Sequence, residues 1–133
     1  MEKITPLTKT KLRRITFWTK YSSIIGMIVV ILCGCTACSP ALSTFFLKGG
    51  HPREIKIAFY LLFFATIWSM FSVIAYFRLF QASKNFSGYD TSGSSEFLVS
   101  AFKHIASFWK FFTISWIVII ITILFFYSIF VAR

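Results

Sequence analysis

Glu96-Phe97-Leu98-Val99-Ser100-Ala101-Phe102-Lys103-His104-Ile105-Ala106-Ser107-Phe108-Trp109-Lys110 separates its apolar and polar residues at helical spacing. Leu98, Ala101, Phe102, Ile105, Trp109 and Phe112 fall on one face, and Glu96, Ser100, Lys103, Ser107 and Lys110 on the other. From Phe111 to Ala132 no charged residue follows, a run long enough to cross a bilayer core. The stretch therefore predicts an amphipathic helix that passes into a membrane span with no breaker between them.

The remaining composition agrees. Of 133 residues, 57% are hydrophobic and 20% aromatic, and only four are acidic. A soluble domain of this size could not bury that much Phe, Ile and Leu, so the surplus must face lipid. The net charge of +10 would suggest nucleic acid in a soluble protein. Here the basic residues cluster at the ends of apolar runs, where anionic headgroups and the positive-inside rule account for them. A nucleic-acid partner is not expected, and the lipid bilayer is.

Two further spans precede this one. Met1 to Lys20 carries Lys3, Lys9, Lys11, Arg13, Arg14 and Lys20 against Glu2, and Thr5-Pro6 is a favourable helix start. Leu7, Ile15 and Trp18 share one face, which predicts a basic amphipathic lead resting at the headgroups. An uncharged run from Tyr21 to Ser39 forms the first span, with Pro40 as its expected stop. Within it Ser22, Gly26, Val30, Gly34 and Cys38 recur every four residues, a small-residue stripe that lets another helix approach. Ala41 to Arg53 reads as a connection turning at Lys48-Gly49-Gly50-His51-Pro52, with Phe45, Phe46 and Leu47 dipping into the interface. The second span covers about Ile57 to Phe77, with Ala65, Thr66, Ser69, Ser72 and Tyr76 on its protein-facing side. Asn85 to Ser95 reads as a polar loop supplying an N-cap for the next helix.

The expected fold is all-α: a three-helix membrane bundle in one domain, with spans at about 21–39, 57–77 and 111–132. Helices two and three form an antiparallel hairpin that extends into the cytoplasm through the amphipathic segment 95–110. Lys and Arg number ten on the N-terminal side and four on the other, which places the N-terminus inside and the C-terminus outside, as in a bacterial inner membrane. A helix from Ser95 to Ala132 would be roughly 55 Å long. Either the bundle continues beyond the membrane, with Trp109 buried against helix two, or the chain bends near Lys110 and Trp109 lies at the headgroups. No Gly or Pro lies between Ser95 and Arg133, which favours continuation.

Catalytic constellations are not found. Asp90 and Glu96 bracket a Gly-Ser loop, His51 and His104 fall on opposite sides of the predicted membrane, and His104 reads as solvated. Gly49-Gly50 is a turn rather than a phosphate cradle, and Asn85-Phe86-Ser87 matches the glycosylation pattern on the predicted cytoplasmic side. Ionisable residues inside spans mark transporters and proton relays, and the second and third spans have none. The hydroxyls Thr66, Ser69, Ser72, Ser115 and Thr122 read as interhelical glue, with a permeation path through several protomers as the alternative. Neither a cofactor nor a metal is expected. Phe102, Ile105 and Trp109, together with Gly26, Gly34 and Ala65, are the expected helix-packing positions, and the expected partner is another protein or a second copy of the chain.

Cys33, Cys35 and Cys38 crowd three thiols into six residues. Cys35 and Cys38 have the C-x-x-C spacing of redox pairs and metal sites, but they sit at a helix C-terminal end, where the dipole disfavours a thiolate. Small apolar packing residues are the simpler reading. Leu32-Cys33-Gly34-Cys35 also resembles the lipobox of bacterial lipoproteins, which would make Cys35 a lipidated N-terminus and leave two spans. Finally, Tyr76-Phe77-Arg78-Leu79-Phe80-Gln81-Ala82-Ser83-Lys84-Asn85, followed by Glu96 to Lys110 and an Ile-rich span, resembles a group of uncharacterised small bacterial membrane proteins. That resemblance implies a similar pair of long helices and no activity.

Overall fold

The computed structural model describes residues 5–47 and 51–131. They form three helices: α1 (Pro6–Leu47), α2 (Pro52–Ser92) and α3 (Ser95–Val131). Each is long and apolar enough to cross a membrane, and each exceeds the ~20 residues that a crossing needs. Packing is unequal. α2 lies against both α1 and α3, whereas the backbones of α1 and α3 nowhere approach within 8 Å.

Helix boundaries differ from the sequence reading in two places. α1 does not stop at Ser39; it continues through Pro40 to Leu47. Proline removes one backbone donor, yet a membrane helix tolerates it where side chains and neighbours serve the freed groups. The carbonyl left without its helical donor is that of Thr36, four residues earlier; the hydroxyls of Ser43 and Thr44 donate instead to the carbonyl of Pro40 itself, in the turn that follows. Phe45, Phe46 and Leu47, expected to dip into the interface from a connection, belong to the end of α1, with Phe46 82% exposed. The side chains of Phe45 and Leu47 and the turn residues Lys48-Gly49-Gly50 lie outside the described residues. α2 then begins at Pro52, preceded by His51 in the extended conformation that a residue before proline adopts.

The second difference is larger. The polar segment from Asn85 is not a loop, because α2 runs on to Ser92 and only Gly93 and Ser94 separate it from α3. Gly93 takes the left-handed conformation (φ 70°, ψ 7°) and its N–H donates to the Tyr89 carbonyl, which closes the helix. Gly88 stays helical and admits a close neighbour: a Cβ there would lie 2.9 Å from the Phe97 ring.

α2 and α3 contact one another through partners whose numbers fall in α2 as they rise in α3. Asn85 donates to the Ser100 hydroxyl, Phe86 meets Phe102, Tyr76 meets Phe108 and Phe112, Phe71 stacks on Phe111, and Tyr60 and Phe64 meet Phe125. The buried residues of α3 are Ala101, Phe108 and Ser115, spaced by seven. On α2, Ala75, Ala82, Ser72 and Phe86 follow the same heptad logic, the seam of two helices packed at a shallow angle. Small residues dominate this seam, as close backbone approach in lipid requires.

Candidate interaction surface

Tyr76 fixes the register of all three helices. Its ring occupies the space that a Cβ on Gly26 of α1 would need, and on its other side it meets Phe108 and Phe112 of α3. Gly26 lies shortly after Lys20, Tyr76 shortly before Arg78, and Phe108 and Phe112 straddle Lys110. The uncharged runs of the three helices therefore end at a common level. Beyond that level each helix carries a charged extension of similar length: 6–20 on α1, 78–92 on α2 and 95–110 on α3. At 1.5 Å per residue each extension measures about 22–24 Å.

The extensions pack on one another. Leu12, Phe86 and Ala101, one from each helix, form a buried cluster against which Tyr89, Leu98 and Ile105 pack. Arg13 Nε donates to Asp90 Oδ2 at 3.2 Å, tying α1 to α2 at the far tip. Arg13 is 69% exposed and Asp90 17%, so solvent screening leaves the pair at most ~1 kcal/mol, and its main effect is to fix register. Asp90 Oδ1 is buried and has no hydrogen-bond partner among the described residues. Asp90 thus sits on a helix, in an ion pair, rather than in a flexible loop.

His104 is half-buried rather than solvated. Its pKa lies below the ordinary 6.5, first because burial penalises the imidazolium and second because Arg78 of α2 repels it. Arg78 itself donates to Gln81 Oε1.

The face turned toward α2 is rotated from the sequence reading. Phe102 and Trp109, expected on the packing face, are 60% and 59% exposed, whereas Phe108, not expected there, is 9% exposed. Ile105 does contribute, beside the Leu12 cluster. The reason is that α3 carries two apolar stripes one residue apart, about 100° around the helix. Leu98, Ala101, Ile105, Phe108, Phe112 and Ser115 form the stripe that packs. Val99, Phe102, Ala106, Trp109, Thr113 and Trp116 form the second, and all six are exposed. A single amphipathic face drawn through Phe102 and Trp109 merges the two. α3 is one unbroken helix from Ser95 to Val131, which fits continuation, while the expected mark of continuation, a buried Trp109, is absent because Phe108 takes that place.

The small and hydroxylated positions divide into contacts and non-contacts. Ser72 of α2 and Ser115 of α3 are buried and hydrogen-bonded to each other. Gly34 of α1 faces Ser69 of α2, whose Oγ would lie 2.8 Å from a Cβ placed there. Ala65 and Thr122 line an apolar groove of about 190 Å³ between α1 and α3, floored by Leu61, Phe64 and Trp68 of α2, with Ala37 and Ile119 on its walls. Thr122 bonds to the Val118 carbonyl of its own helix. Thr66, expected on the protein-facing side, is exposed and bonds only to the Leu62 carbonyl. Leu7, Ile15 and Trp18 are all exposed on α1; Leu12 is the residue that packs.

The three thiols are free, with Cys33 and Cys35 exposed and Cys38 half-buried. Among the described residues no group of three His, Cys, Asp or Glu side chains comes together as a metal site. Leu12, Ser23 and Phe86 were not identified from the sequence, whereas Ala101 was placed on the apolar face and is buried. For Phe86 the signal was present as heptad spacing with Ser72.

A family model matches residues 57–132, which spans nearly all of α2 and the whole described length of α3. The chain belongs to the family of unknown function DUF5362. The matched part is thus the helix pair joined by the Ser72–Ser115 bond and the aromatic ladder. No curated protein and no solved structure matches the chain.

Proposed function

We propose that this DUF5362 member is a non-enzymatic integral membrane protein that acts by association, as an accessory subunit or as an oligomer of its own chain. It lies in a bacterial inner membrane, with the paired extensions of α2 and α3 in the cytoplasm as an antiparallel hairpin beside the N-terminal part of α1. The observation that carries this reading is the three-helix extension. Its own core is small, Leu12, Phe86 and Ala101, yet it displays large apolar side chains on its outside. Exposed apolar surface away from lipid marks a contact site. The nine Lys and Arg of the stretches 6–20 and 78–110, against two acids, agree with a cytoplasmic placement.

The alternative of a hydroxyl-lined pore draws little support from the geometry. Ser72 and Ser115 satisfy each other, and Thr66, Thr113 and Thr122 bond to carbonyls of their own helices. Crosslinking in the native membrane tests association directly. Recovery of a defined higher-mass species is expected, and recovery of the lone monomer at every crosslinker length would remove the proposal.

A further inference from the structure

The second stripe of α3 is the feature that packing within the chain leaves unexplained. Val99, Phe102, Ala106 and Trp109 follow the three-four spacing of a coiled-coil seam, and Val99, Phe102 and Trp109 are each about 60% exposed. The stripe continues at the same spacing as Thr113, Trp116, Ile120 and Ile123, where lipid is sufficient cover. From Val99 to Trp109 lipid is not. That segment rises about 15 Å along the helix beyond the end of the uncharged run, and only its Trp109 end reaches a headgroup layer. It cannot lie flat on the membrane, because α3 is unbroken there and its neighbouring stripe, about 100° around the helix, is packed on α2 through Ala101 and Phe108.

The stripe's flank supplies the remaining chemistry. Lys103 and Lys110 are exposed along one border. Glu96, also exposed, lies on the same border at its far end, beside Val99 and Lys103, and Arg13 of α1 is paired with Asp90. The extension as a whole still has nine basic residues against two acidic ones. A second copy brought against this stripe would set two such extensions about 8–10 Å apart, comparable to the ~8 Å screening length at physiological salt and shorter than the screening length at lower salt. Like charge therefore disfavours the chain's own twin as the occupant.

We propose that Val99, Phe102, Ala106 and Trp109, bordered by Lys103 and Lys110, form a docking surface for an acidic amphipathic helix of a different protein. Such a helix lays its apolar residues along the stripe and its Asp and Glu residues against the two lysines, the groove mode of helix recognition with complementary charge. About three turns match the length of the stripe. The inference rests on the proposed mode of action by association, and it names the class of partner.

The test uses the full chain in nanodiscs of phosphatidylcholine and three designed helical peptides: a Leu/Glu amphipathic helix, its Leu/Lys counterpart and a scrambled Leu/Glu sequence. The Leu/Glu helix is expected to bind, and the other two are not. Val99→Ser and Lys103→Glu should each weaken it about tenfold, with helicity and thermal transition unchanged because both side chains are exposed. The double variant Lys103→Glu, Lys110→Glu should instead bind the Leu/Lys helix. Equal binding of the scrambled peptide, or no loss in Val99→Ser, would mean charge attraction alone and overturn the proposal, as would no binding.

A photoreactive phenylalanine analogue at position 102, in native membranes, separates this failure from that of the broader reading. An adduct to the chain itself or to lipid overturns the acidic-helix proposal. The self-adduct leaves association standing, whereas no protein adduct at position 102 or at a second probe position, 120, removes both.

Discussion

At the scale of single residues, the contacts that hold α1 to α2 depend on what is missing from Gly26. The Tyr76 ring fills the place of a side chain there, so any larger residue must push the helices apart or displace the ring from Phe108 and Phe112. Gly26→Leu is expected to cost ~1–3 kcal/mol, the range for overfilling a packed site. Thermal unfolding in detergent reads that cost, and Ser22→Leu, one turn away at an exposed position, should leave the transition unchanged. His104 supplies a second measurable effect. Its folded pKa is depressed below 6.5 by burial and then by Arg78, so the unfolded chain binds the proton more readily. Stability is therefore full above the unfolded value and declines as pH falls through the folded one. Between about pH 8 and about pH 5 the transition temperature should fall in the wild type. It should fall less in His104→Gln; parallel curves would show that His104 is not the group responsible. Gly26 and Gly34 were legible in the sequence because a four-residue stripe of small residues has one simple use in a membrane helix. His104 was not, since its burial is imposed by α2, which lies far from it in sequence.

At the scale of the helix, the sequence reading erred where local composition and tertiary packing point in different directions. Asn85-Phe86-Ser87-Gly88-Tyr89-Asp90 has the residues of a loop, rich in turn formers. The segment is nonetheless helical, because Phe86 is needed in the cluster with Leu12 and Ala101 and Gly88 makes room for Phe97. Pro40 is the same kind of conflict: a strong local breaker overridden in an apolar setting where a helix is the only way to satisfy the backbone. The seven-residue spacing of Ala101, Phe108 and Ser115 was readable, but Phe102 and Trp109 beside it are larger and drew the face toward themselves. One breaker does act where it stands. Gly93 ends α2 with positive φ and has nothing within 4 Å of a would-be Cβ, so a substitution there is resisted by backbone strain alone. Gly93→Ala should cost ~1–2 kcal/mol, Gly93→Asn less, and an equal cost for both in thermal unfolding would show that side-chain volume, not φ, sets the requirement.

At the scale of the whole molecule, three extensions of matched length turn the chain into a bundle with two environments. Tyr76 ties together three points where charge begins, one on each helix, so the boundary between environments is a single plane across the bundle. No individual helix specifies that plane: α1 alone reads as a basic amphipathic lead before a span, α2 as a span before a loop, and α3 as a choice between a continuous helix and an elbow. Only the pairing of Gly26 with Tyr76, and of Tyr76 with Phe108 and Phe112, shows the three boundaries to be one. If that plane is the membrane surface, single cysteines placed in a variant lacking Cys33, Cys35 and Cys38 should divide sharply along it. Leu7→Cys, Lys84→Cys and Val99→Cys, all beyond the plane, should react together with a membrane-impermeant maleimide added from the cytoplasmic side, and Ile120→Cys should not react from either side. A bend at Lys110 would instead lay the α3 extension on the bilayer, and a bilayer-embedded quencher would then dim a fluorophore at Val99→Cys as strongly as one at Ile120→Cys. Quenching confined to position 120 is the expected result, because Ala101 and Phe108 are buried against α2 on the same unbroken helix that carries Ser115 to Ser72.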